Sequence, residues 1–168
     1  AHERTRKDPK ELRVLPEVQA TLLGVDTGGF EAGVIRMLIL LADSRGSVRR
    51  DRLERSSHIL TTHEAFVGLG PDRRAAMIRE QSIIVEFEAE RALQGLPLLI
   101  TTPEQRRKAL EIVHYIVGAI EDMEPQSLQM LQRMAQLLEI PDDASQQVIK
   151  LKDEDGVKAS GRKNRTTP

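Results

Sequence analysis

The feature that most constrains the fold is Met37–Ala42, six consecutive apolar residues inside a longer apolar segment. A helix that is apolar all round has to be enclosed by the rest of the protein. A buried strand would show the same short run, but the whole segment, approximately Phe30 to Asp43, is longer than strands usually are. The pattern therefore predicts a helix over 30–43 that is buried on nearly all sides.

Residues that end or start helices divide the segment after this first helix, up to residue 100, into further helices. Gly46 ends the first helix, and the hydroxyl of Ser47 can cap the next one. The turn at 69–72 begins another helix, and a shorter helix follows near 89–100, with Pro97 disturbing its end. Three more helices are therefore expected between the first apolar segment and residue 100.

The clearest start of a helix lies in the sequence TTPEQRRKAL, residues 101–110. The hydroxyl of Thr102 can accept the free main-chain amide of Gln105, while the side chain of Gln105 reaches back to the amide of Thr102. Pro103 occupies a position at which the missing N–H has no cost. These residues predict a helix from Pro103 to about Ile120.

A last long helix is expected to begin at Pro125 and to stop before Pro141. The sequence thus predicts an all-α fold, a bundle of about six or seven helices made of two repeated helix-corner-helix halves. The bundle occupies residues 14–141. The charged segments 1–13 and 142–168 have few apolar residues and are expected to be flexible flanks.

The composition is that of a globular domain, with 39% hydrophobic and 30% charged residues and a net charge of -1. The chain has no cysteine, which excludes disulfides and thiolate chemistry and is typical of a reducing compartment. No apolar run is long enough to span a bilayer, so we expect a cytoplasmic protein. The first residue is not Met, and we expect the sequence to be part of a longer protein.

Motifs that would indicate an enzyme are missing, so we expect no catalytic activity and no cofactor. The sequence contains no G-x-S-x-G elbow, P-loop or dinucleotide fingerprint. Asp26-Thr27-Gly28 matches the aspartic-protease tripeptide, but that chemistry needs two carboxylates on a β scaffold. Here the tripeptide precedes a helical segment, and we interpret it as a loop.

The order of the segments resembles a known family. Over approximately residues 30–141 the chain resembles the TerB-like (tellurite-resistance protein B) helical domains. Their pattern is a helix, then small residue-Asp-Gly-x-apolar-x-x-x-acid, then a second helix, and it occurs twice. The segment RRKALEIVHYIVGAIEDMEPQSLQMLQRMAQLLEIPD is similar to their second half. The order is also similar to the C-terminal region of uncharacterised bacterial proteins whose N-terminal part resembles poly(3-hydroxyalkanoate) synthases, which have an α/β-hydrolase fold. This resemblance implies that the parent protein's chemistry lies in an upstream domain.

TerB-like domains carry acidic ion-binding positions at their two corners, and this chain departs from that pattern. The family's Asp falls on Arg45 in the first corner and on Ile120 in the second. Of the acids only Asp51 stays in register, and Arg52 takes the neighbouring acidic position. A weak divalent-cation site rearranged from nearby acids is the alternative, although a calcium site needs six to eight oxygens. Its candidate ligands are Asp43, Asp51, Glu121, Asp122 and Glu124.

Three functions follow from these residues. The first is a non-catalytic accessory or protein-interaction domain, with the upstream domain, a protein partner or a second copy of the chain as its partner. The second is a metal-ion-binding stress-response module of the tellurite-resistance type. The third is phosphate or nucleic-acid binding through an arginine patch, Arg49, Arg50 and Arg52. The four aromatic residues give few stacking platforms, which disfavours single-stranded nucleic acid.

Overall fold

The computed structural model describes residues 9–45, 50–118 and 122–141. Within these ranges the chain is all-helical and has no strand. The eight helices are α1 (Pro9–Arg13), α2 (Pro16–Leu22), α3 (Gly29–Arg45), α4 (Arg50–Thr62), α5 (Pro71–Gln94), α6 (Leu96–Leu99), α7 (Pro103–Val117) and α8 (Pro125–Leu137). The predicted fold class is confirmed, and the short helices α1 and α6 bring the described helices above the expected six or seven.

Helix α3 is the central element of the bundle. It packs against α5, α8, α7 and α6, so it is enclosed on most of its circumference. Met37, Leu40 and Leu41 are buried, and the other apolar residues of the run 37–42 are partly buried. The prediction of a helix buried on nearly all sides is confirmed, because a run without a polar face has no side that gains from contact with water.

The start of α7 follows the expected capping pattern with one difference. The hydroxyl of Thr102 accepts the main-chain N–H of Gln105 at 3.1 Å, as predicted. The side-chain oxygen of Gln105, however, accepts the main-chain N–H of Thr101 at 3.2 Å rather than that of Thr102. The hydrogen bond from the side chain of Gln105 therefore satisfies the amide of Thr101, the residue before the N-cap Thr102. Helix α7 ends at Val117, three residues before the expected end at about Ile120, because its C-cap Gly118 leaves the helical conformation at φ +91°.

The prediction of a separate helix over 89–100 is confirmed at its start and wrong at its end. Glu88 has a non-helical conformation (φ -140°, ψ 52°), and this kink divides α5 into two helical segments, the second of which begins at Ala89 and ends at Gln94. A second break comes at Gly95, and Pro97 lies in the first turn of α6, where its missing N–H is tolerated. At the kink of α5, Arg13 donates to the carbonyl of Phe87 at 2.9 Å and forms an ion pair with Glu88. A long-range contact of this kind leaves no periodic signal in the sequence.

None of the described helices combines the length and the apolar character that a bilayer span needs. Residues 9–13 of the predicted N-terminal flank form α1, which contacts α2. The remainder of that flank, 1–8, and the predicted C-terminal flank, 142–168, lie outside the described residues. So do 46–49 and 119–121, which belong to the two predicted corners, and the repeat of two halves stays a prediction.

Gly33 sets the distance between α3 and α6. A Cβ at this position would lie 2.6 Å from Cγ1 of Ile100 and 3.2 Å from Cβ of Leu99, both of which are buried. We expect Gly33→Val to lower the free energy of unfolding, measured in urea, by about 1–3 kcal/mol, because overpacking forces the two helices apart. Gly68→Val is the matched control, since a Cβ on Gly68 meets no atom within 4 Å. Equal stability of the two variants would contradict this contact.

Candidate functional site

The acids that the sequence analysis assigned to a cation site do not form a cluster in the described part of the chain. Asp43, near the end of α3, is exposed, and Asp122 is exposed just before α8. Glu124 is partly buried at the N-cap of α8. The side chain of Asp51 and the whole of Glu121 lie outside the described residues. Among those that are described, no three His, Asp or Glu side chains could share a metal ion, and the cation site stays a prediction.

The side chain of Arg52, on α4, is buried next to the N-terminus of α8. Its side chain is only 5% exposed, and its Nη1 lies 3.3 Å from a carboxylate oxygen of Glu124. One candidate cation ligand is therefore engaged by a guanidinium. Arg49 and the side chain of Arg50 lie outside the described residues, so the arginine patch also stays a prediction. Of its three members, the one whose side chain is described points into the protein.

A second buried arginine forms a polar cluster in the core. Arg36, on α3, is completely buried, and its Nε donates to the side-chain oxygen of Gln81 on α5 at 2.7 Å. Its Nη1 donates to the main-chain carbonyl of Ala92 at 3.1 Å. Burial lowers the pKa of Arg36 to about 10, and the carboxylate of Asp26 acts in the opposite direction. The guanidinium is therefore still protonated at neutral pH and carries a positive charge within the bundle.

Gly95 makes room for the carboxylate that faces this guanidinium. Oδ1 of Asp26 lies 3.1 Å, and Nη1 of Arg36 lies 3.2 Å, from the position that a Cβ on Gly95 would occupy. Asp26 belongs to the loop between α2 and α3, which confirms the interpretation of Asp26-Thr27-Gly28 as a loop before a helix. Its carboxylate compensates part of the positive charge of Arg36. Two hydrogen bonds and this nearby exposed carboxylate compensate the buried charge in part, while Nη2 of Arg36 has no hydrogen-bond partner among the described residues.

A cavity of about 380 Å³ opens beside the cluster. It lies between α2, the loop after it, the first turn of α3, and α5. Gln81 connects the two sites, because it lines the cavity and also accepts the hydrogen bond from Arg36. The other lining residues are Ala20, Thr21, Gly24, Thr27, Gly28, Ala32, Arg73, Met77, Glu80 and Ile84. An enclosed charge next to a cavity makes this the best candidate for a binding site in the described residues.

Arg106 and Lys108, two of the three charged residues at 106–108, have structural partners. Lys108 forms an ion pair with Glu64, and this contact raises the pKa of Lys108 and lowers that of Glu64. Arg106 donates to the carbonyls of Ile100 and Leu138, at 2.9 and 3.1 Å. The exposed ion pair between Lys108 and Glu64 adds little to stability. Arg106, in contrast, satisfies main-chain carbonyls at the ends of α6 and α8. Neither contact indicates a ligand.

Histidines do not form a metal site in the described part of the chain. His114, which the sequence places beside the apolar stripe of α7, is 2% exposed and belongs to the core. His63 accepts the main-chain N–H of Ala65 through Nδ1 at 3.0 Å, and His58 is exposed on α4. The burial of His114 gives it a packing role in the core.

Sequence reasoning missed Arg36 and Gln81 as functional candidates. Arg36 is the one charged residue in the stretch Ala32–Ala42, and a lone charge inside a buried helix requires a buried partner. That signal could have singled out Arg36. Gln81 lies 45 positions further along the chain and on a helix with many polar residues, so nothing in the sequence marks it as the partner.

Comparisons with known proteins supply no family for this chain. No family model matches it, and neither the curated proteins nor the solved structures include a significant match. The TerB-like resemblance therefore stays a prediction, and the candidate site rests on the residues of this chain alone.

Proposed function

We propose that this chain is a non-catalytic accessory domain that binds another protein domain. The resemblance described above suggests a TerB-like bundle with two repeated halves, attached to a larger bacterial protein that is similar to poly(3-hydroxyalkanoate) synthases. The partner is then the upstream domain of the same protein. This proposal is supported by the absence of catalytic motifs in the sequence and by one property of the surface.

The property that carries the proposal is a set of exposed apolar side chains near the N-terminus. Leu23 is 86% exposed, Val14 is 71% exposed and Leu15 is 37% exposed. We call these three residues the N-terminal apolar surface. Single exposed apolar residues are ordinary in globular proteins. Here three large apolar side chains within residues 14–23 are exposed and do not contribute to the core.

Helix α2 explains why these side chains remain exposed. It packs on α5 through Val18 and Leu22, which are buried. Leu23 follows directly as the C-cap of α2, and Leu15 precedes the helix as its N-cap. The helix is therefore fixed by one face, while the apolar residues at its ends are held in place without being covered. Apolar side chains on a rigid support can bind a partner with little loss of conformational entropy.

The test is site-specific photo-crosslinking in the intact parent protein, with a photoreactive amino acid at position 23. We expect an adduct with the upstream domain, or with one protein partner, because apolar anchors lie at the centre of such interfaces. Leu23→Glu should weaken the association by at least about tenfold. It should change the free energy of unfolding by no more than about 0.5 kcal/mol, because Leu23 is largely exposed.

A photoreactive residue at Glu86, an exposed polar position on α5, is the control. An adduct at both positions would indicate nonspecific reaction. No adduct at position 23, together with unchanged association of Leu23→Glu, would contradict the proposal.

A further inference from the structure

We propose that the cavity beside Gln81 binds the carboxylate of a small aliphatic acid, with the side-chain amide of Gln81 as the donor. The argument uses the orientation of that amide, the donors around the cavity and the apolar walls. It does not depend on the proposed function.

Arg36 determines how the amide of Gln81 is oriented. A guanidinium has only donors, so the group of Gln81 that faces Nε of Arg36 at 2.7 Å has to be the oxygen. The usual ambiguity between the oxygen and nitrogen of an amide is therefore removed. The NH₂ group of Gln81 points away from Arg36. Gln81 is only 4% exposed, and it lines the cavity.

The NH₂ group of Gln81 has no acceptor among the described residues. The residue is buried as a whole, but this nitrogen is not one of the fully enclosed atoms without a partner, so it keeps contact with the open cavity, where water or a ligand can accept its hydrogen bond. Its nitrogen lies 4.0 Å from the position of a Cβ on Gly28, which also lines the cavity. Gly28 has φ +129°, and a side chain there would meet Ala32 at 2.8 Å. A glycine at this position therefore keeps the cavity open next to the amide.

The other groups at this end of the cavity favour an acceptor as ligand. Gly28 directly precedes α3, a helix of 17 residues whose first main-chain N–H groups have no partner within the helix, and Ala32 lies in its first turn. The hydroxyls of Thr21 and Thr27 already donate to the carbonyls of Glu17 and Gly24. The side-chain amide of Gln81 is thus a free side-chain donor in the described lining of the cavity, and it suits a carboxylate oxygen.

The remaining walls suit a short aliphatic chain. Ala20, Ala32, Met77 and Ile84 provide methyl and methylene groups. Arg73 and Glu80, whose side-chain charges lie 4.0 Å apart and which are 58% and 43% exposed, contribute to the polar part of the lining. A volume of about 380 Å³ is near the lower end of the range for small-molecule sites. We therefore infer a ligand with one carboxylate and a few carbons.

The experiment is a nuclear magnetic resonance titration of the whole chain with hexanoate, hexan-1-ol and hexylamine. We expect hexanoate to shift the side-chain NH₂ resonances of Gln81 saturably, with a Kd of about 1 mM or tighter. The alcohol and the amine, which share the same chain, should bind at least about tenfold more weakly. No saturable shift with hexanoate up to about 10 mM, or equal binding of all three compounds, would overturn the proposal.

Gln81→Glu separates binding from folding. Glu keeps an oxygen for Arg36 and replaces the donor facing the cavity by an acceptor, so the variant should fold and lose hexanoate binding at least about tenfold. Gln132→Glu, an exposed change of the same kind on α8, should bind hexanoate like the unmodified chain. A folded Gln81→Glu variant that binds hexanoate normally would overturn the assignment of the donor. If the variant does not fold, the comparison of the three compounds on the unmodified chain decides.

Discussion

Arg36→Ala is expected to lower the free energy of unfolding by about 3–5 kcal/mol, because two buried acceptors lose their donor and the deleted side chain leaves a cavity. The change removes the donor to the oxygen of Gln81 and to the carbonyl of Ala92, and both acceptors lie in the core. It also removes the electrostatic attraction between Arg36 and the exposed carboxylate of Asp26. Unpaired buried acceptors and an empty volume in the central helix act in the same direction.

The measurement is equilibrium unfolding in urea, with Arg79→Ala as the control. Arg79 is exposed on α5, and its replacement should change the free energy of unfolding by no more than about 0.5 kcal/mol. If Arg36→Ala is as stable as Arg79→Ala, the buried cluster does not contribute to the fold. A change in the urea dependence without a change in midpoint would indicate an altered denatured state instead.

Arg36→Met distinguishes the charge from the volume of the side chain. Met fills most of the space of the aliphatic part of Arg, so this variant should lose less stability than Arg36→Ala, about 1–3 kcal/mol for acceptors left without a donor. A combined Arg36→Met, Gln81→Met variant should recover part of that loss, because it also removes the unpaired amide oxygen. If the loss of stability in the double variant equals the sum of the losses in the two single variants, the two side chains do not interact directly.

The elements that could be predicted from the sequence are those whose signals are local. Apolar spacing and length identified α3, and the hydroxyl of Thr102 with Pro103 identified the start of α7. Both depend on residues within a few positions of each other, so no tertiary contact can reverse them easily. The break before Ala89 was also predicted, but the contact that accompanies it is not local and was missed. The kink at Glu88 and its contact with Arg13 join residues 75 positions apart.

The candidate site shows where local reasoning stops. Arg36 could have been recognised as a charge that needs a buried partner, but Gln81, Asp26 and Gly95 come from three different segments. Only the packing of α3 on α5 brings them together. Arg52, which follows the first predicted corner, is a second contact that local reasoning does not find. Arg52 looks like part of an exposed basic run in the sequence, whereas in the fold it is buried against Glu124, 72 positions away.

Helix α4, which carries Arg52, is expected to depend on a single aromatic anchor. It packs chiefly on α7, and Phe66 in the following connection is completely buried. The main-chain N–H of Phe66 donates to the carbonyl of His63 at 2.9 Å, and the two rings meet edge to face with centroids 6.1 Å apart. These contacts close the end of α4 against the core. They belong to residues 63–70, which join α4 to α5.

Phe66→Ala should therefore lower the free energy of unfolding by about 3–5 kcal/mol, the range for deleting a buried Phe side chain. Val67→Ala is the matched control from the same connection, because Val67 is 61% exposed and its loss should cost no more than about 0.5 kcal/mol. Hydrogen exchange should also show faster exchange of the α4 amides in Phe66→Ala, since local opening becomes easier once the anchor is removed. Equal stability of the two variants would mean that α4 is held by α7 and the Arg52–Glu124 pair alone.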